Sequence, residues 1–235
     1  MTIADVRAAL TQYTDDSRAP RKQKFFKTEP GDYAAGDQFI GITVPQVRIV
    51  AKQYHNLPLD VLQTLLNSAI NEERLLALII LGNQYKKAKS AAQKQTIYNF
   101  YCTNINQVNN WNLVDTSAPH IMGAHLFDKD TQVLTILAQS DNLWHRRIAI
   151  VSTQYFIKRH QYASTIIIAT LLLGDTHDLI HKAVGWMLRE IGEQDMSTLT
   201  NFLNQHRTIM PRTMLRYAIE KFQPAIRQQY LKKLS

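Results

Sequence analysis

Apolar residues recur along this chain at helical spacing and almost nowhere with the alternation of a half-buried strand. In Arg74–Tyr85, Leu75, Leu78, Ile79 and Leu81 stand in i, i+3, i+4 relation. Leu143–Phe156 repeats the pattern with Ile148, Val151 and Tyr155, and Leu179–Ile191 repeats it with Ala183, Val184, Met187 and Ile191. Stops lie between such segments, at Asn56-Leu57-Pro58, Gly174-Asp175 and Met210-Pro211. The stretch Thr28–Gly41 holds three of the eight glycines with Pro30, Asp32 and Asp37, and reads as a loop. Just before it, Arg18–Lys27 is a basic helix candidate with two adjacent aromatics, Phe25 and Phe26. The pattern predicts an all-α protein.

The predicted helices are related to one another. A basic residue precedes a small one at Arg74…Ala77, Arg146-Arg147-Ile148-Ala149, His181-Lys182-Ala183 and Arg216-Tyr217-Ala218. The alanines are separated by 72, 34 and 35 residues, which places a further copy in Asn110–Phe127. A period of about 35 residues with two helices in each predicts a curved solenoid, an α–α superhelix of HEAT-like helix pairs. An irregular helical bundle is the alternative. No linker-like stretch interrupts the pattern, so residues 1–235 are expected to form one domain, with N-terminal helices and a loop over 1–44 and the repeats over 45–235. The inner helices of such an array line a concave face, and basic residues recurring there would track a phosphate backbone.

Charge sharpens this expectation. Lys and Arg number 27 against 19 Asp and Glu, a net +8, which favours an anionic partner. The longest apolar runs, Leu75–Leu81 and Ile166–Leu173, fall short of the roughly 20 residues a membrane helix needs. The opening Met-Thr-Ile-Ala-Asp lacks the basic-then-apolar pattern of an export signal, so a cytoplasmic protein is expected. One cysteine, Cys102, excludes an internal disulfide and a cysteine metal cage. The eight histidines show no metal-binding spacing, and no glycine-rich phosphate loop occurs, so no cofactor and no metal are expected.

Chemistry concentrates in Trp111-Asn112-Leu113-Val114-Asp115. Trp111 and Asp115 are four apart and share one helix face. Taken alone, the pair also fits a core aromatic and a helix-capping carboxylate. The other two tryptophans also lie near basic residues, Trp144 three before Arg147, and Trp186 four after Lys182 and three before Arg189. Aromatic faces with a carboxylate in a cationic groove would receive a cationic group carried on a polyanion.

Three strings together resemble the bacterial DNA alkylation repair family with HEAT-like repeats, the AlkD-like DNA glycosylases. They are Trp111–Asp115, Leu143-Trp144-His145-Arg146-Arg147-Ile148-Ala149, and Lys182-Ala183-Val184-Gly185-Trp186-Met187-Leu188-Arg189-Glu190. Phe25-Phe26-Lys27 through Phe39–Pro45 is similar to that family's N-terminal region, so the resemblance runs from Phe25 to Phe222. It implies that Asp115 is the catalytic carboxylate, that Trp111 and Trp186 flank the lesion, and that Arg147 lies near the lesion-bearing backbone. Arg189 and Lys182 follow as further DNA-binding residues; Trp144 matches less securely and also fits a packing role.

The chemistry agrees with that implication. A 3-methyladenine or 7-methylguanine nucleotide is already cationic, so its base leaves without protonation. One carboxylate can then stabilise the oxocarbenium-like sugar and place a water, without a second carboxyl as general acid. The expected activity is a monomeric glycosylase hydrolysing the N-glycosidic bond of such purines in duplex DNA. A HEAT-like protein that binds damaged, bent or branched DNA without catalysis is the alternative. A protein–protein scaffold explains the repeats but neither the Trp/Asp/Arg grouping nor the charge.

Overall fold

A computed structural model describes residues 2–232; residue 1 and residues 233–235, the ends of the expected single domain, lie outside the described residues. All the regular elements of the described chain are helices, and the only β pairing among the described residues is an isolated parallel bridge between Gln38 and Ile70. No helix among these residues is long and apolar enough to cross a membrane. The chain forms two compact units, Met1–Ile121 and Met122–Ser235.

The first unit contains α1 (Ile3–Thr11), α2 (Ala19–Phe26), α3 (Val44–Gln53), α4 (Leu59–Leu66), α5 (Asn71–Lys87), α6 (Ala91–Thr103) and α7 (Trp111–Ser117). Helix α5 packs on α3 and α4 and, beyond them, on α6 and α7. Being covered on several sides, it buries every residue from Asn71 to Leu81. The apolar stripe predicted from Leu75, Leu78, Ile79 and Leu81 therefore understates the burial, because Leu76 and Ile80 are fully buried as well. Each such side chain contributes roughly 1.5–3 kcal/mol.

The second unit contains α8 (Ala124–Leu126), α9 (Gln132–Ala138), α10 (Leu143–Ser152), α11 (Gln154–Ile157), α12 (Ala163–Leu171), α13 (Asp178–Gln194), α14 (Met196–His206), α15 (Arg212–Ala218) and α16 (Pro224–Leu231). Helix α13 packs on α10, α14 and α15, and α9 packs on α10 and α12. In both units, then, a helix packs on the next-but-one or a later helix as well as on its neighbour, the stacking expected of helix pairs.

Two predicted helices are interrupted. The segment Leu143–Phe156 divides at Thr153 into α10 and α11. Ser152 Oγ donates to Ile148 O at 2.6 Å and Thr153 Oγ1 to Ile150 O at 2.7 Å; hydroxyls bonding back to preceding carbonyls bend helices. The copy predicted in Asn110–Phe127 becomes α7, a π-type turn at Pro119–Gly123, and the short α8. Pro119 supplies no N–H to continue the α-helical ladder. The expected loop Thr28–Gly41 is a loop, and it turns at Gly31, Gly36 and Gly41, all with positive φ. At Gly41 a side chain is excluded twice over, by φ +79° and by Asp15 O, which a Cβ would meet at 2.2 Å.

Candidate functional site

The loop delivers Asp37 to the start of α5, where Gln38 N donates to Ala69 O at 2.9 Å and Asn71 N to Gln38 O at 2.8 Å. There, four consecutive polar side chains are buried, and each is paired. Asn71 Nδ2 donates to Asp37 Oδ2 at 3.0 Å, and Arg74 pairs with Asp37 Oδ1 while donating to Ser68 O at 2.7 Å. Glu72 pairs with Lys22 of α2 at 2.9 Å and accepts from Ile40 N, and Glu73 pairs with Arg7 of α1 at 2.9 Å. Buried charges persist when paired in this way.

The same network grips α7. Asn110, its fully buried N-cap residue, donates through Nδ2 to Asp37 Oδ2 at 2.8 Å. Asn112 Nδ2 donates to Asn71 Oδ1 at 2.7 Å. At the far end, Ser117 Oγ donates to Leu113 O at 2.6 Å and meets the Tyr101 hydroxyl at 3.1 Å. Trp111 and Asp115 lie one turn apart on this short helix, both half-buried. Asp115 falls in the second turn, so it is not the N-cap of α7.

Trp111 is backed by other aromatics. Its ring stacks on Phe26 with centroids 4.8 Å apart and planes at 11°, and Phe26 stacks in turn on Phe39 at 4.6 Å and 22°. Phe25 meets the Trp111 ring edge-to-face at 5.9 Å and is itself 67% exposed. Helix α2 thus carries one buried and one exposed aromatic, amid the exposed cations Arg21, Lys24 and Lys27. Sequence reading noted the aromatic pair but not its meeting with Trp111, about 85 residues away in the chain.

In the second unit, Lys182, Trp186 and Arg189 share α13, and Arg147 of α10 reaches it by donating through Nη1 to Leu179 O at 2.6 Å. Arg147 is 5% exposed. The Trp186 indole N–H donates to Glu190 Oε1 at 2.9 Å, Lys182 pairs with Asp178 at 2.6 Å, and Arg189 pairs with Glu220. Trp144 is buried.

The recurrent basic positions do not all offer a free cation to phosphate. Arg74 is 3% exposed and held by Asp37, and Arg146 pairs with Asp175 at 2.6 Å. A cationic surface missed by sequence reading lies elsewhere in the first unit. Arg48, Lys52, His55, Ile79, Asn83 and Lys87 line a cleft of about 430 Å³ between α3 and α5. Among the described residues Arg48, Lys52 and Lys87 enter no ion pair, and no acidic side chain lines the cleft. Its signal was the i, i+4 spacing of Arg48 and Lys52 on α3, and of Asn83 and Lys87 on α5. Among the described residues no group of three or more His, Cys, Asp or Glu is placed to hold a metal ion.

Comparison with known proteins bears on the whole chain. The family model described as DNA alkylation repair enzyme matches residues 6–222. A solved structure described as a predicted DNA alkylation repair enzyme from Enterococcus faecalis superposes with a TM-score of 0.68. That similarity covers 90% of this chain and 97% of the other at 16% sequence identity, and so speaks for a shared fold. No curated protein matches the chain.

Proposed function

We propose, from the premise that this chain belongs to the DNA alkylation repair enzyme family, that it is a DNA glycosylase removing positively charged alkylated purines, 3-methyladenine and 7-methylguanine, from duplex DNA. The observation that carries the proposal is α7. It holds a carboxylate one turn from an aromatic ring braced on Phe26, and both ride on a helix anchored to a buried polar network.

In the proposed reaction the bond from sugar C1′ to the purine nitrogen breaks with its electron pair leaving on the base, which thereby loses its positive charge. Positive charge develops on C1′. The Asp115 carboxylate stabilises it and orients a water, whose oxygen adds to C1′ while its proton departs to the carboxylate or to solvent. The products are free base and an abasic site. A preorganised charge facing a developing cation is the kind of group that contributes most to such a barrier. Trp111 would favour the cationic nucleotide by about 0.5–2 kcal/mol through cation–π attraction. Most of the discrimination then comes from the lability of the alkylated bond itself.

Duplex binding would draw on the cationic cleft of the first unit and on Lys182 and Arg189 of the second, both of which would have to exchange an intramolecular carboxylate for phosphate. Arg147, buried and bound to Leu179 O, would contribute charge near the lesion-bearing backbone rather than an extended side chain.

The test is incubation of a methylated duplex with the protein across a range of salt, following free methylated base, abasic sites and affinity together. Release of base with accumulation of abasic sites is expected, and affinity should fall steeply with salt. Tight binding without base release would instead identify a non-catalytic protein that recognises damaged, bent or branched DNA.

A further inference from the structure

We infer that Asn112 is a positioning residue: with Asn71 and Asp37 it fixes the roll of α7 about its own axis, and so sets where the Trp111 ring and the Asp115 carboxylate are held. The inference rests on the reading of Asp115 as the group that acts on the sugar. Its physical basis is the shortness of α7, seven residues with no side-chain hydrogen bond capping its N-terminus. Helices of this length do not hold themselves in place; tertiary contacts must do so. Two amides supply that hold at the first turn, Asn110 on Asp37 at 2.8 Å and Asn112 on Asn71 at 2.7 Å. Asn110 precedes the helix in extended backbone and Asn112 is its second residue, so the two amides reach the bonded Asp37–Asn71 pair from two separate points of the chain. One grip alone would leave a hinge; two set the rotation.

The partners of Asn112 are themselves fixed. Asn71 donates to Asp37 Oδ2 at 3.0 Å, its backbone N–H is bound to Gln38 O at 2.8 Å, and Asp37 is paired with buried Arg74. Asn112 is the half-buried outer member of this chain, so removing its amide leaves the Asp37–Arg74 pair and the Asn110 link in place. Its loss should therefore disturb orientation much more than folding. The phenyl stack beneath Trp111 resists sliding of the indole but cannot fix the helix's roll at Asp115, a full turn further on.

The test is Asn112→Ala, read in two ways. Single-turnover release of 7-methylguanine at saturating enzyme should fall about 10-fold or more, as small misplacements of a reacting group do. Affinity for undamaged duplex and the melting temperature should change little. In the Asp115→Asn background the same substitution should cost much less, the remainder being what acts through Trp111. Independently of activity, the fluorine resonance of Trp111 in 5-fluorotryptophan-labelled protein, assigned with Trp111→Phe, should shift or broaden in Asn112→Ala while those of Trp144 and Trp186 stay put. The inference requires both readouts. A wild-type rate would overturn it, as would a reduced rate with an unmoved Trp111 resonance, which would give Asn112 a direct contact with substrate. If the unaltered protein releases no base at all, the reading of Asp115 fails, and the fluorine resonance still decides whether Asn112 positions α7.

Discussion

Helices α5 and α13 each run 17 residues and each forms the centre of its unit, yet they are held by different physics. The start of α5 has no side-chain cap; it buries Asn71, Glu72, Glu73 and Arg74 against partners drawn from α1, α2, α7 and the loop that carries Asp37. The start of α13 is capped by His177, whose Nδ1 accepts from Leu179 N at 3.1 Å, and the nearby Asp178–Lys182 pair is exposed to water. Its hold comes from the middle, where Gly185 lets α15 approach so closely that a Cβ would meet Met214 O and Tyr217 Cβ, both at 2.5 Å. Hydrogen-bonded ion pairs are directional and fix angles, whereas apolar contact rewards area. The proposed carboxylate stands in the unit whose geometry is specified by direction.

That contrast can be broken from either side. The largest effect is expected at Asp37→Asn, which leaves the buried Arg74 guanidinium without a counter-charge. A loss of about 3–5 kcal/mol should follow in urea denaturation, with hydrogen exchange accelerated first in α5 and α7. A loss below 1 kcal/mol would show that the network does not organise the first unit. In the second unit, Gly185→Ala should cost about 1–3 kcal/mol, because the added methyl group meets a backbone carbonyl that cannot move independently. That exceeds the gain in helix propensity of about 1 kcal/mol. A neutral or stabilising Gly185→Ala would mean that the close approach of α15 is not what limits packing there.

The smallest effect sharpens the comparison through pH. Burial pushes the His177 imidazole below its ordinary value, with Arg146 and His181 acting in the same direction and the Asp175 and Asp178 carboxylates opposing. The unfolded chain therefore takes up this proton first. The stabilisation is complete above the unfolded value, roughly 6.5, and is lost as pH falls below it toward the folded value. Melting temperature should decline modestly from pH 7 toward pH 5, and His177→Asn, which keeps a capping oxygen, should flatten that decline. An unchanged slope in the variant would assign the acid sensitivity to another group.

Much of the helical layout is visible in the chain because apolar periodicity is a local signal. It locates α5, α10 and α13 and, through its glycines, the loop that precedes α3. What it misses is non-local. A buried arginine and a surface arginine look alike in a window of a dozen residues, and Arg74 finds its carboxylate 37 residues away. The recurrent basic positions therefore suggested phosphate contacts where three of the side chains, Arg74, Arg146 and Lys182, hold carboxylates instead. Trp111 and Asp115 are legible as a pair because i, i+4 spacing suffices to place them on one face. Their setting is not, since Phe26, Asp37 and Asn71 arrive from distant segments. Arg48 and Lys52 carried a local signal too, since Arg48 precedes Ala51 by three residues as Arg74 precedes Ala77, but Ala51 stands 26 residues before Ala77 and so falls outside the period of about 35.

The central claim is that the charge of Asp115 opposes the cation developing on the sugar, and one measurement reaches it directly. Single-turnover release of 7-methylguanine from a methylated duplex, with Asp115→Asn beside the unaltered protein at saturating concentration, should show a loss of about 10²-fold or more. The substitution keeps the shape of the side chain and removes only its charge, so the melting temperature should be nearly unchanged. An Asp115→Asn protein that releases base at the unaltered rate would contradict the account.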